Sequence, residues 1–139
     1  MKRISLDQYF IDIAQKVKER STCLSRQVGC VIVKDKQILS TGYNGSIKGH
    51  NHCNKHTCKK GCNNTIHAEV NAVISAAKRG VNIDRCTIYT TTSPCINCLK
   101  ILLSLNIEKI YYKELYYNDK IEVKELLKNH PKNTGLIQL

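Results

Sequence analysis

Thr65-Ile66-His67-Ala68-Glu69-Val70-Asn71-Ala72 and, further along, Ser93-Pro94-Cys95-Ile96-Asn97-Cys98 are the two stretches on which the reading of this chain turns. Local signals predict that each opens a helix. Thr65 can cap a helix over about 66–79, with Ala68, Ala72, Val73, Ala76 and Ala77 inward and Gly80 just past its end. Ser93 is a favourable N-cap and Pro94 suits a first helical position, so a second helix is predicted to run to about Leu105. Asn106 can then take the left-handed conformation that closes it. Cys95 and Cys98 lie three apart and so share one face of that helix's opening turns. Helix starts carry partial positive charge, which favours thiolate over thiol. If the two starts converge, His67, Cys95 and Cys98 can hold one Zn2+ ion. A catalytic zinc takes three protein ligands and leaves a fourth position open, so Glu69 remains free to move protons.

Working outward, Ser5-Leu6-Asp7-Gln8 reads as a capping box, and Leu6, Phe10, Ile13 and Val17 recur at helical spacing over residues 6–20. Val28-Gly29-Cys30-Val31-Ile32-Val33 is β-branched and almost wholly apolar, as a strand buried on both faces would be. Lys34-Asp35-Lys36 turns the chain, and Gln37 to Tyr43 returns as a second strand. Residues 44–64 show no periodicity and read as a loop, long enough to need a reason to be ordered. Cys86 to Thr91 and Ile107 to Tyr112 are predicted strands. Asp119-x-x-Glu122 opens a helix over Val123, Leu126 and Leu127 that stops before Pro131, and a short last strand can follow at 136–139. The order α-β-β-α-β-α-β-α implies an α/β sheet with helices on both faces.

The chain has 139 residues, 42% hydrophobic and 24% charged, which suits one globular domain over residues 1–139. It contains no apolar run long enough for a membrane span, and MKRISLDQYF lacks the apolar core of a signal peptide. A cytoplasmic protein with reduced thiols is therefore expected, and eight cysteines there point to metal rather than disulfides. The net charge of +11 suits an anionic ligand such as a nucleotide. A Lys/Asn/Ile bias of the kind an AT-rich coding sequence produces gives the same charge. No basic block or aromatic–basic stripe marks a nucleic-acid surface.

The order His-x-Glu, then Pro-Cys-x-x-Cys, is the signature of zinc nucleobase deaminases. Together with Val28-Gly29-Cys30-Val31-Ile32-Val33 and Ser40-Thr41-Gly42-Tyr43-Asn44-Gly45, it resembles the deoxycytidylate (dCMP) deaminases, including related proteins of bacterial competence operons. The resemblance covers about residues 5–117. It implies a cytidine deaminase-like fold: a three-layer α-β-α sandwich around a central mixed five-stranded sheet. It also implies hydrolysis of dCMP to dUMP, supplying thymidylate synthesis, in a homo-oligomer of which hexamers are a common form. In that resemblance His67, Cys95 and Cys98 hold a zinc that brings a water's pKa to about 7, and Glu69 shuttles protons to N3 and to the leaving amine of cytosine. Asn44 would bind the deoxyribose or base, and the Ala68 N–H the base carbonyl. Ser25-Arg26-Gln27 would approach the 5′-phosphate, and Ser93 and Tyr116 would stand near the nucleotide. The family commonly carries Pro two residues after Asn-Gly, where this chain has Ser46-Ile47, so the resemblance departs in the loop that serves nucleoside-triphosphate regulation in regulated members.

Cys30 and Cys86 stand where the family usually has Ala and read as core fillers. Some members hold a second, structural zinc using a Cys before the first strand and one after the Tyr-Asn-Gly loop, positions matched by Cys23 and Cys53. Cys58 and Cys62 would complete the set, with His52 or His56 as substitutes, while His50 and His130 read as exposed and idle. The same zinc motifs also occur in tRNA adenosine deaminases, which have no reason to carry Thr-Gly-Tyr-Asn-Gly. Free cytidine deaminases usually place Cys before Ala-Glu. A zinc-stabilised interaction protein would leave Glu69 without a purpose.

Overall fold

Val31 and Val33 point to one side of their strand and Cys30 and Ile32 to the other, and both sides are covered by helices. The computed structural model describes residues 1–59, 62–116 and 120–139. In chain order the elements are α1 (Leu6–Val17, continued by a 3-10 turn Lys18–Arg20), β1 (Gly29–Lys34), β2 (Gln37–Tyr43), β3 (Gly45–Ser46) and α2 (Lys55–Lys59). There follow β4 (Thr65–Ile66), α3 (Ala68–Lys78), β5 (Thr87–Thr92), α4 (Ile96–Ser104), β6 (Lys109–Glu114), α5 (Lys120–Asn129) and β7 (Gly135–Gln138). The expected opening of the last helix at Asp119 lies outside the described residues.

β1–β2, β5, β6 and β7 form one mixed five-stranded sheet in the order β2-β1-β5-β6-β7. β1 is antiparallel to β2 and β5, whereas β5–β6 and β6–β7 are parallel, joined through α4 and α5 as parallel strands require. Phe10, Ile11 and Ala14 of α1 bury against Val31, Val33 and Tyr89 on one face. On the other, Ala72 and Ala76 of α3 and Leu99 and Leu102 of α4 close over Cys30, Ile32, Ile88 and Ile110. Ile32, Ile88 and Ile110 are wholly buried, each worth about 1.5–3 kcal/mol relative to exposure. Cys30 and Cys86 belong to this core, as expected for small fillers.

Two glycines set how closely the helices approach. A Cβ at Gly42 would stand 2.3 Å from both Ala68 O and Ala72 N, so α3 can lie on β2 only because that position has no side chain. A Cβ at Gly29 would meet Ala14 O at 2.2 Å, giving α1 the same licence over β1. The hairpin turns through Asp35 and Lys36, both left-handed at φ 50° and 62°, as a two-residue turn matched to strand twist demands. Leu39 is the extra residue of a bulge, since Ile32 pairs with Ser40 and Val33 with Ile38.

Several local expectations are corrected. Half the capping box forms: Ser5 Oγ accepts from Gln8 N–H at 3.1 Å, but the Gln8 side chain donates to Asp12 instead. Thr65 does not cap α3. It pairs with Ser46 in the small β3–β4 ribbon, which also orders part of the expected loop, and His67 takes the N-cap. Ser93 and Pro94 likewise precede the cap of α4, which is Cys95. Ser93 is tied to the end of β6, its N–H donating to Glu114 O at 2.8 Å and its Oγ accepting from Tyr116 N at 2.6 Å. Asn106 is left-handed at φ 57°, as predicted. His130 is half-buried, its ring at hydrogen-bonding distance from the Lys132 backbone rather than idle.

Candidate active site

The sheet brings the start of β1 and the ends of β2, β5 and β6 to a single rim, because Gly29 pairs with Tyr43, Cys30 with Thr90, and Thr92 with Glu114. Residues leaving those strands therefore meet: Val28 before β1, Asn44 after β2, Ser93 after β5 and Tyr116 after β6. The N-termini of α3 and α4 arrive at the same rim. Between them lies a cavity of about 310 Å³ whose walls include His67, Ala68, Glu69 and Cys95. Arg26, Asn44, Ser93 and Tyr116 line it as well. A larger hollow of about 500 Å³ opens beside α1, but Lys34, Lys36 and Arg85 there face Asp7, Asp35 and Glu108, with no sulfur or imidazole. Chemistry, not volume, separates the two.

His67 and Cys95 are the N-cap residues of α3 and α4, which explains how two distant segments aim donors at one point. His67 Nδ1 lies 3.5 Å from Cys95 Sγ and 3.3 Å from Cys98 Sγ. Among the described residues, only His67, Cys95 and Cys98 bring three donor atoms within 4.8 Å of one another. Tetrahedral zinc, with bonds of about 2.05 Å to nitrogen and about 2.3 Å to sulfur, sets N···S near 3.5 Å and S···S near 3.8 Å. The three side chains thus fit the ion that their chemistry suggests. Cys95 Sγ also accepts from Cys98 N–H at 3.5 Å, doing the work of an N-cap oxygen.

Electrostatics points the same way. Hydrogen bonds from Cys98 and His67 hold the Cys95 thiol down to about 4, whereas Cys98, which donates to Cys95 and is buried, is pushed well up. Two adjacent thiols that cannot both ionise alone are a donor pair suited to a cation. Contact with Cys95 raises the His67 pKa. Glu69 is 4% exposed, and burial raises its carboxyl above the ordinary range. Its carboxyl touches the Cys98 thiol and is no member of the donor triangle. A buried carboxyl with a raised pKa beside a metal site suits proton transfer near neutral pH.

No side chain caps α3, so the Ala68 N–H at its first position is a backbone donor in the wall of the cavity. Asn44 is 6% exposed, and its amide is bonded within the protein: Oδ1 accepts from Val28 N–H at 2.8 Å and from Ser21 Oγ at 2.6 Å, while Nδ2 donates to Arg26 O at 2.6 Å. The exposed Arg26 guanidinium sits 5.0 Å from the Tyr116 ring centroid, a cation–π pair that roofs the cavity. Val28, Thr65 and Thr92 also line the cavity, though none of them has a site role assigned from sequence: Val28 and Thr65 open two of the quoted stretches and Thr92 stands just before another.

The four remaining cysteines approach one another beside this cavity. Cys53 is in hydrogen-bonding contact with both Cys58 and Cys62, and Cys23 lies near enough to Cys58 to raise its pKa, behind desolvation and Cys53. Thr65 Oγ1 donates to Cys62 Sγ at 3.0 Å and lowers that thiol. The four sulfurs do not close within 4.8 Å as a set. His52 and His56 are exposed.

Residues 4–114 match the model of the cytidine and deoxycytidylate deaminase zinc-binding region. The chain is 44% identical over 119 residues to ComE operon protein 2 of Bacillus subtilis, covering 84% of this chain and 63% of that protein. It is 33% identical over 129 residues to the deoxycytidylate deaminase of Schizosaccharomyces pombe, covering 84% and 39%. The chain thus spans less than two thirds of the length of these relatives. Among solved structures, the dCMP deaminase of cyanophage S-TIM5, in complex with dCMP and dUMP, is similar with a TM-score of 0.84 at 26% identity, covering both chains fully.

Proposed function

The chain belongs to the cytidine and deoxycytidylate deaminase family, and from that premise we propose that it hydrolyses dCMP to dUMP and ammonia, supplying dUMP for thymidylate synthesis. The observation that carries this reading is the His67–Cys95–Cys98 donor triangle beside a buried, uncoordinated Glu69, in a cavity roofed by an arginine. Held by those three residues, a zinc ion would supply Lewis acidity that brings the pKa of a water to about 7. Glu69 takes a proton from the attacking water, delivers it to N3 of cytosine, and passes the second to the departing N4 amine. The C4–N4 bond breaks, a C4–O bond replaces it, and ammonia leaves. Ala68 N–H holds the base carbonyl, Asn44 faces the sugar, and Ser93 fixes Tyr116 beneath Arg26.

Arg26 has no acidic partner among the described ion pairs, and an arginine–phosphate contact is charge-assisted and often bidentate. In an ammonia-release assay, dCMP should therefore exceed deoxycytidine in kcat/KM by at least about tenfold, or about 1.4 kcal/mol. Arg26→Ala should narrow that gap without loss of zinc, and CMP should be poorer than dCMP. Equal turnover of deoxycytidine and dCMP would move the assignment to a nucleoside deaminase. Activity confined to a tRNA anticodon stem would move it to an adenosine deaminase.

We further propose that Cys23, Cys53, Cys58 and Cys62 hold a structural zinc that ties the 44–64 segment to the loop before β1. The support is the contact of Cys53 with Cys58 and Cys62 and the nearness of Cys23 to Cys58. A closed four-ligand site contributes folding energy outright. Protein purified without chelator should carry two zincs per chain, and Cys53→Ser should lose one while Cys95 and Cys98 keep theirs. A stoichiometry of one in the unmodified protein would remove this second site.

A further inference from the structure

Residues 21–28 connect α1 to β1 without helix or strand, yet they carry Arg26 to the cavity, so something must fix their path. The bonds converge on Asn44. At one foot of the arch, Ser21 Oγ lies 2.6 Å from Asn44 Oδ1 and 2.8 Å from Asn44 O, and Thr22 N–H donates to Asn44 O at 3.3 Å. At the other foot, Asn44 N–H donates to Val28 O at 3.2 Å and Val28 N–H to Asn44 Oδ1 at 2.8 Å. Between them Asn44 Nδ2 donates to Arg26 O.

We propose that Ser21 is a positioning residue for nucleotide binding: its hydroxyl locks the orientation of the Asn44 amide, and Asn44 in turn holds the Arg26 segment over the cavity. The inference rests on reading the cavity as a nucleotide site. Ser21 Oγ accepts from Cys23 N–H at 3.2 Å, so its single hydrogen is directed to Asn44, shared between the main-chain and side-chain oxygens. Val28 N–H can only donate and Arg26 O can only accept, so they set which end of the amide is oxygen, and the Ser21 hydroxyl adds the second donor that pins that oxygen in place. The NH2 end is thereby turned to Arg26 O, and its second hydrogen has no acceptor among the described residues. That leaves an N–H donor on a residue lining the cavity. Ser21 itself is half-buried and is not among the cavity-lining residues, so its effect passes through Asn44.

Three measurements on the zinc-loaded full chain decide it. Ser21→Ala should raise KM for dCMP by about tenfold while kcat falls by less than about threefold, the pattern of lost ground-state binding rather than lost chemistry. Ser21→Thr, which keeps the hydroxyl, should recover most of that loss. In 15N–1H spectra, the side-chain NH2 pair assigned to Asn44 should shift and broaden in Ser21→Ala. Zinc content should match the wild type. A fall in kcat and zinc with KM unchanged would make Ser21 merely structural and overturn the proposal, as would an unmoved Asn44 amide. If the wild type proves indifferent to the 5′-phosphate, the substrate reading fails instead. KM for the substrate it does take, together with the Asn44 amide, then judges Ser21 alone.

Discussion

Glu69→Gln should retain the fold and the zinc content while lowering kcat on dCMP by about 10²–10⁴-fold, and by more if one carboxyl serves both proton transfers. The substitution is nearly isosteric, and it removes an ionisable group that is 4% exposed and whose charged form is already disfavoured by burial. Stability should therefore change little, since a neutral amide is cheaper to bury than a carboxylate. The donors that would hold the ion, His67, Cys95 and Cys98, are untouched. What the amide cannot do is accept a proton from water and return it to N3 and then to N4. KM should stay within a few-fold, separating lost chemistry from lost binding. The checks are steady-state ammonia release, metal content and a thermal melt on the same preparation. Near-normal turnover in that variant would sink the role given to Glu69.

The contrast between the donor triangle and Asn44 shows what a linear sequence can and cannot disclose. The grouping of His67, Cys95 and Cys98 was legible because metal chemistry dictates both residue types and spacing, and the fold brings these three donors within 4.8 Å of one another. The sheet was legible because Val28 to Val33 is apolar on both faces, which only a covered strand tolerates. Caps were the weak point. Thr65 and Ser93 have the better oxygen for the task, yet Thr65 is held in the ribbon to Ser46 with its hydroxyl on Cys62 Sγ, the Ser93 hydroxyl accepts from Tyr116 N–H, and His67 and Cys95 take the cap positions instead. From sequence, Asn44 could be read only as the substrate contact that the resemblance implies. Its tie to Ser21 spans 23 positions, and no local pattern encodes such a pairing. The crowding at Gly42 was hidden for the same reason, since the backbone atoms it accommodates belong to Ala68 and Ala72.

Cys95→Ser separates the two duties of that residue and should be the most damaging change to the metal centre. As the N-cap of α4, Cys95 accepts from Cys98 N–H, and serine is a preferred residue at such a position. Helix α4 should therefore survive. As a metal ligand, serine is poor, because its hydroxyl does not ionise near neutral pH, whereas the Cys95 thiol is held down to about 4. One zinc should be lost and activity should fall by about 10³-fold or more, since a Lewis acid at this point is worth several kcal/mol of barrier. The thermal stabilisation that added zinc gives through this site should disappear, because binding to the folded state alone is what raises the melting temperature. Cys53→Ser supplies the control: it should lose a different zinc and leave the His67–Cys98 side of the cavity loaded. A Cys95→Ser protein that kept its full zinc content and its turnover would overturn the three-ligand assignment, and with it the role of α4 as the second arm of the site.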